Sequence, residues 1–232
     1  MFRRIFLVCT LVVVLAVPAA AEVKGIYGGL KFIDSIFSTG HLSRSGEAAR
    51  AADNYSQNTI GGGIFAGYDF YPQSQIPVRA EVEYAIRTNA NTSWDVEIAG
   101  VNVGELRGQW NLQTLFLNVF WDFLNSTAFT PYIGAGIGMG FINNRYSLES
   151  NSTWNAALPA IDDSFSDTRT VFAWNAGLGC AYAFNENISL DLAYRFVGLS
   201  HSETEKTVLG QKQKIGMAPY ANEFSLGLRF TF

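Results

Sequence analysis

The sequence predicts an all-β fold: an eight-stranded antiparallel up-and-down transmembrane β-barrel. Three observations point there. Residues 1–21, MFRRIFLVCTLVVVLAVPAAA, carry two arginines, an apolar run and a small-residue stretch, the pattern of a secretory signal peptide. The chain is 48% hydrophobic and 14% aromatic with 22 glycines, yet beyond residue 21 no apolar run approaches the roughly 20 residues of a spanning helix. The apolar residues instead recur with period two, in segments joined by alternately short and long connections.

Cleavage after Ala21 would leave residues 22–232 as a single outer-membrane barrel domain. Removal of Arg3 and Arg4 leaves 14 bases against 20 acids with no basic block, a balance that excludes nucleic acid as a partner. Cys180 is then the only cysteine, so no internal disulfide forms.

Eight segments alternate. In 23–33, Ile26, Leu30 and Phe32 oppose Lys31; in 59–70, Ile60, Ile64 and Tyr68 oppose Asp69. In 77–87, PVRAEVEYAIR, one face holds Val78, Ala80, Val82, Tyr84 and Ile86 and the other Arg79, Glu81, Glu83, Ala85 and Arg87. In 111–123, Leu115, Leu117, Val119, Trp121 and Phe123 oppose Asn118 and Asp122. In 131–142, Ile133, Ile137 and Met139 alternate with glycines, and in 170–183 Phe172, Trp174, Leu178 and Tyr182 oppose Asn175. In 188–199, Ile188, Leu190, Leu192, Tyr194 and Phe196 oppose Asp191 and Arg195; in 222–232, Phe224, Leu226, Leu228, Phe230 and Phe232 oppose Arg229. Strict alternation places a strand between two unlike environments. Segments of this length suit a tilted membrane crossing.

Short connections fall at 71–76, 124–130 and 184–187, and long polar ones at 34–58, 88–110, 143–169 and 200–221. An even set of strands with short turns on one side and long loops on the other is the pattern of an outer-membrane barrel. Unpaired backbone groups have no partner in lipid, so the first and last strands must pair. Tyr68, Phe70, Trp121, Phe123, Tyr182, Phe184, Phe230 and Phe232 cluster beside the short turns as an aromatic girdle.

The polar faces contain Lys31, Arg79, Arg87, Arg195 and Arg229 with Asp69, Glu81, Glu83, Asp122 and Asp191. An Arg or Lys facing mid-bilayer lipid costs roughly 2–4 kcal/mol, so these side chains are expected in the lumen, paired with one another. Glycines 61, 63, 67, 134, 136, 138, 177 and 179 fall on the same inward faces. They either make room for long side chains or leave a thin water column. The network is then lumen filling or, alternatively, the path of a narrow porin for ions or small solutes.

TPYIGAGIGMGFI (130–142), followed by a long polar stretch and FAWNAGLGCAYAFNENISLDLAYRF (172–196), resembles the small outer-membrane barrels of the opacity-protein and bacterial surface-antigen type, relatives in architecture of the OmpA membrane domain. The resemblance implies location in a Gram-negative outer membrane. It also implies a role as surface antigen, adhesin or structural envelope protein working through exterior loops. It implies that Phe224, Leu228, Phe230 and Phe232 form an assembly signal read by the barrel-insertion machinery.

The implied partners are outer-membrane lipid, that machinery and a host or extracellular ligand at the loops. With the mature N-terminus in the periplasm, the long loops lie outside. Within 87–110 the residues around Gly100 alternate weakly, which predicts that the third and fourth strands continue as a hairpin above the membrane. Trp154 is a candidate contact residue. No metal, nucleotide or other cofactor motif occurs. A lipid-modifying enzyme would draw on His41 with Ser43, at i, i+2, or on His201 between Ser200 and Ser202, but no orienting acid is fixed by the sequence.

Overall fold

The computed structural model describes residues 24–38, 40, 42–45, 56–98, 101–150, 162–208 and 211–232. Residues 1–21, read from the sequence as a signal peptide, and His41 and Trp154 lie outside them. The elements are β1 (Ile26–Ser38), β2 (Leu42–Ser45), β3 (Ser56–Asp69), α1 (Tyr71–Ser74), β4 (Val78–Arg87), β5 (Ala90–Ile98), β6 (Val101–Asp122), β7 (Phe129–Ser150), β8 (Asp162–Ala183), β9 (Ile188–Leu199), β10 (Ser202–Val208), β11 (Gln211–Met217) and β12 (Tyr220–Thr231).

Eight of the strands close a barrel in the cyclic order β1-β3-β4-β6-β7-β8-β9-β12, antiparallel throughout. β1 and β12 pair along their length, from Tyr27 opposite Thr231 to Ser38 opposite Tyr220. The last residue takes part, since Phe232 N donates to Ile26 O at 2.9 Å. With both edges joined, no membrane-level stave is left with an open side.

The pleat sorts the side chains. Leu30, Phe32, Ile64, Val82, Leu117, Val119, Ile133, Ile137, Met139, Leu178 and Leu192 stand exposed on the outer wall, where a water-soluble protein would place polar groups. Arg79, Glu81, Glu83, Arg87, Asn118, Asp122 and Asn175 are buried inside. Aromatic contacts ring the short-turn end: Tyr68 with Phe70 at 4.9 Å, Tyr182 with Phe184 at 5.1 Å and Phe129 with Tyr182 at 4.8 Å between ring centroids.

On the opposite end the chain differs from the sequence reading. Much of 88–110, 143–169 and 200–221 is strand, not open loop. β5 pairs with the upper part of β6 from Ala90 opposite Trp110 to Ile98 opposite Val101, with a bulge between Val96 and Glu97. This is the predicted hairpin. β6, β7 and β8 each run 22 residues and stay paired far beyond the barrel mouth, to Glu105 opposite Glu149 and Glu149 opposite Asp162. Once two strands are in register, each further pair extends a ladder already formed, so pairing continues without a buried face to demand it. β10, β11 and β2 form a separate three-stranded sheet.

Candidate functional site

The lumen is filled in layers. Nearest the short turns, Arg79 on β4 donates from Nε and Nη2 to the two carboxylate oxygens of Asp122 on β6, at 2.7 and 2.8 Å. Its guanidinium lies 5.0 Å from the Phe120 ring centroid and 4.8 Å from that of Tyr132. Arg229 Nε stands 3.6 Å from Asp191 Oδ2 beside the Tyr27 ring.

In the next layer Lys31 Nζ donates to Glu83 Oε2 at 2.6 Å and to Glu81 Oε1 at 3.4 Å, while Tyr27 Oη donates to Glu81 Oε2 at 3.3 Å. Arg195 bridges two glutamates: Nη1 donates to Glu83 Oε2 at 2.9 Å and Nε to Glu223 Oε2 at 2.7 Å. Arg87 reaches Glu223 Oε1 at 2.6 Å, and the same oxygen accepts from Ser35 Oγ at 3.0 Å. Charges this deeply buried persist only when paired and hydrogen-bonded, and these are both.

The structure brings nine of the ten sequence-derived charges into these contacts. Asp69 instead sits at the first short turn, where its carboxylate accepts from Tyr71 N at 2.9 Å. Glu223, absent from the sequence-derived set, is fully buried at the meeting point of Arg87 and Arg195. Glycine makes the crowding possible. A Cβ at Gly136 would collide with the Asn118 side chain and stand 2.7 Å from Asn175 Nδ2. Those two amides meet at 2.9 Å over Gly136, on the inner face of β7.

Above Glu223 the lumen turns apolar. Phe37, Leu112, Phe116, Ile142, Ala173, Val197, Leu199 and Ala221 form one buried cluster, with Trp110 and Val171 packed against it. Phe37 and Trp110 meet edge to face at 6.4 Å. A cavity of about 50 Å³ lies below this plug, among Lys31, Glu81, Asn118, Asn175, Asp191 and Arg195. It is polar and large enough for a few ordered waters. Asn118 Nδ2 and Asp191 Oδ1 are buried there without a protein partner. The cavity's lining includes Arg79 and Tyr132 on the short-turn side and Arg195, whose guanidinium lies 5.5 Å from the Phe116 ring of the apolar cluster.

The exterior wall is the second candidate region. The upper parts of β5, β6, β7 and β8 make a four-stranded sheet standing out of the barrel, with β5 and β8 as its edges. The eight residue steps from Gln113 to Glu105 carry it roughly 25 Å along the strand direction at about 3.3 Å per step. Asp95, Glu105, Glu149 and Asp162 are registered opposite one another, one acid on each strand. Ser93, Arg107 and Ser147 form the neighbouring row.

Closure, inverted polarity and a strand-built exterior are the architecture of a membrane barrel. The family model described as "Outer membrane protein beta-barrel domain" matches residues 7–232. The chain belongs to this family. It is therefore a protein of the bacterial outer membrane, in contact with that membrane's lipid.

Among its relatives, "Outer membrane protein PagN" of Salmonella typhimurium is 31% identical over 248 residues, spanning 99% of this chain and 100% of that one. "Putative adhesin RC1281" of Rickettsia conorii is 26% identical, over 50% of this chain and 47% of its own. Neisserial surface protein A shares the fold, with a TM-score of 0.52 and 19% identity, over 90% of this chain and 97% of that one.

Proposed function

We propose that this family member is a surface adhesin: a stoppered barrel that anchors a β-sheet wall outside the cell and holds it towards a host or other extracellular ligand. The observation that carries this reading is the continuity of β6, β7 and β8 from membrane stave to exterior sheet, which anchors the wall directly in the barrel. An edge strand such as β5 offers unpaired backbone groups to an incoming chain, and the wall's polar residues add selectivity. The adhesin name attached to the Rickettsia relative supports the same reading. The apolar plug and the paired charges argue against the narrow porin. A lipid-modifying enzyme has little support, since the described His201 has serines only at its flanking positions.

The test is transfer of binding. Expression in a non-adherent laboratory strain is expected to confer attachment to cultured epithelial cells. Trimming the β5–β6 hairpin back to Thr88 and Asn111 is expected to abolish it while the barrel still shows heat-modifiable gel mobility. Attachment unchanged by removal of the exterior hairpins would overturn the proposal. The same reading includes removal of residues 1–21 on export and recognition of Phe224, Leu228, Phe230 and Phe232 by the insertion machinery. These four side chains all stand on the outer wall.

A further inference from the structure

One sector of the outer wall, across β8, β9, β12 and β1, departs from a plain apolar surface. Register sets it out as three outward rows. Trp174, Gly198, Tyr220 and Ser38 form the uppermost; Ala176, Phe196, Asn222 and Ile36 the next; Leu178, Tyr194, Phe224 and Asp34 the third.

The rings in these rows are in mutual contact. Phe196 stacks on Tyr220 at 5.5 Å with 21° between planes and meets Trp174 at 5.5 Å; Tyr194 meets Phe224 at 5.1 Å. Gly198 is what lets the indole lie down: a Cβ there would stand 2.5 Å from Trp174 Cε2 and Nε1. The indole spreads across the neighbouring strand and remains exposed.

Polar groups lie beside the rings. Tyr194 Oη donates to Asn222 Oδ1 at 2.7 Å. Asp34 sits between Phe224 and Ile60, both exposed on the outer wall, and its Oδ1 is buried without a hydrogen-bond partner.

Height identifies the surroundings. From Tyr182 at the short-turn girdle to Trp174 is eight residues. At about 3.3 Å per residue and a tilt near 40°, that is roughly 20 Å up an apolar band about 25 Å tall. The sector therefore lies at the head-group level of the outer leaflet. β9 and β12 end just above it, at Leu199 and Tyr220, and the chain continues there into the separate sheet of β10, β11 and β2.

A flat aromatic platform stacks on the C–H face of a pyranose ring, and a neighbouring carboxylate oxygen accepts from a sugar hydroxyl or amide N–H. We propose that Trp174, Phe196 and Tyr220, with Asn222 and Asp34, form a binding site for the acylated aminosugar head group of an outer-leaflet glycolipid. The acyl chains would run down past Phe224 and Leu178. Rings in contact also occur in the short-turn girdle; what sets this sector apart is a carboxylate, Asp34, on an outward row among them.

Native mass spectrometry of the detergent-solubilised protein, titrated separately with lipid A and with phosphatidylglycerol, tests this. Wild type is expected to retain lipid A in preference to phosphatidylglycerol. Trp174→Leu, Tyr220→Leu and Asp34→Asn are each expected to weaken lipid A retention by about tenfold, one stacking or charged contact at about 1.4 kcal/mol per decade. Trp121→Leu, an outward Trp at the opposite girdle, is expected to leave retention unchanged. Heat-modifiable mobility confirms closure of each variant. Should Trp174→Leu fail to close, Asp34→Asn, which keeps the apolar surface, decides the matter. Equal retention of the two lipids by wild type, or undiminished lipid A retention in the closed variants, overturns the proposal.

Discussion

Arg87 on β4 and Glu223 on β12 meet across the bore, Nε to Oε1 at 2.6 Å, joining positions 136 residues apart. Glu223 also holds Arg195, so one carboxylate ties three strands together from the inside. Glu223→Ala would leave two buried guanidinium groups, those of Arg87 and Arg195, without this carboxylate. Loss of one partner from a buried pair costs about 3–5 kcal/mol. The urea midpoint of the refolded protein in micelles is expected to fall accordingly, and an unchanged midpoint would show that the bond carries no stability.

The plug predicts electrical silence. Wild type in a planar bilayer is expected to give no stepwise current, and Arg195→Ala alone is expected to stay silent because Phe116 and Leu112 still close the bore above it. The quadruple variant Arg79→Ala, Arg195→Ala, Leu112→Ala, Phe116→Ala opens the Arg79 layer, the Arg195 layer and the apolar plug, and is expected to conduct. Currents from wild type at the same protein density would contradict the sealed lumen.

Gly136 is expected to tolerate nothing larger. Gly136→Ala drives a methyl group into the Asn118–Asn175 pair, and overpacking of this kind costs about 1–3 kcal/mol. Adding Asn118→Ala is expected to restore part of the loss. Thermal gel-shift midpoints of the single and double variants read both effects.

Removal of Phe232 is expected to separate assembly from stability. Its backbone N–H closes one bond to Ile26 and its ring lies on the wall. Refolding in detergent is therefore expected to proceed nearly as in wild type, while outer-membrane levels in cells fall several-fold, measured by quantitative blotting of membrane fractions. Equal loss in both settings would make the residue merely structural.

The exterior row of acids is expected to strain the wall. Like charges directly opposite one another destabilise a sheet by roughly 0.2–1 kcal/mol per pair. Asp95→Asn is expected to slow chymotryptic cleavage of the exterior hairpin at low ionic strength, with the difference shrinking in high salt. Faster cleavage would mean that Asp95 is held by a favourable contact.

The membrane part was legible because lipid and lumen impose opposite demands on neighbouring residues. Arg79, Glu81 and Glu83 could not share a face with Val82 and Tyr84. Glu223 was missed because it stands at the head of its strand, beside Asn222 and Ala221, where an acid reads as the end of a loop.

The plug was missed because Leu112 and Phe116 put apolar groups on the inward face, within a stretch apolar on both faces. Above the membrane the alternation fades, since water lies on both sides of the wall. NNRYSLES, 143–150, has no pattern of its own and is strand because the ladder below it continues.

A stopper of phenylalanine and leucine over interlocked ions also matters to the cell that displays it. As an adhesin of the kind proposed, each copy would add a grip on the surroundings without adding a leak. The number on the surface could then rise without opening a path for small solutes across the envelope.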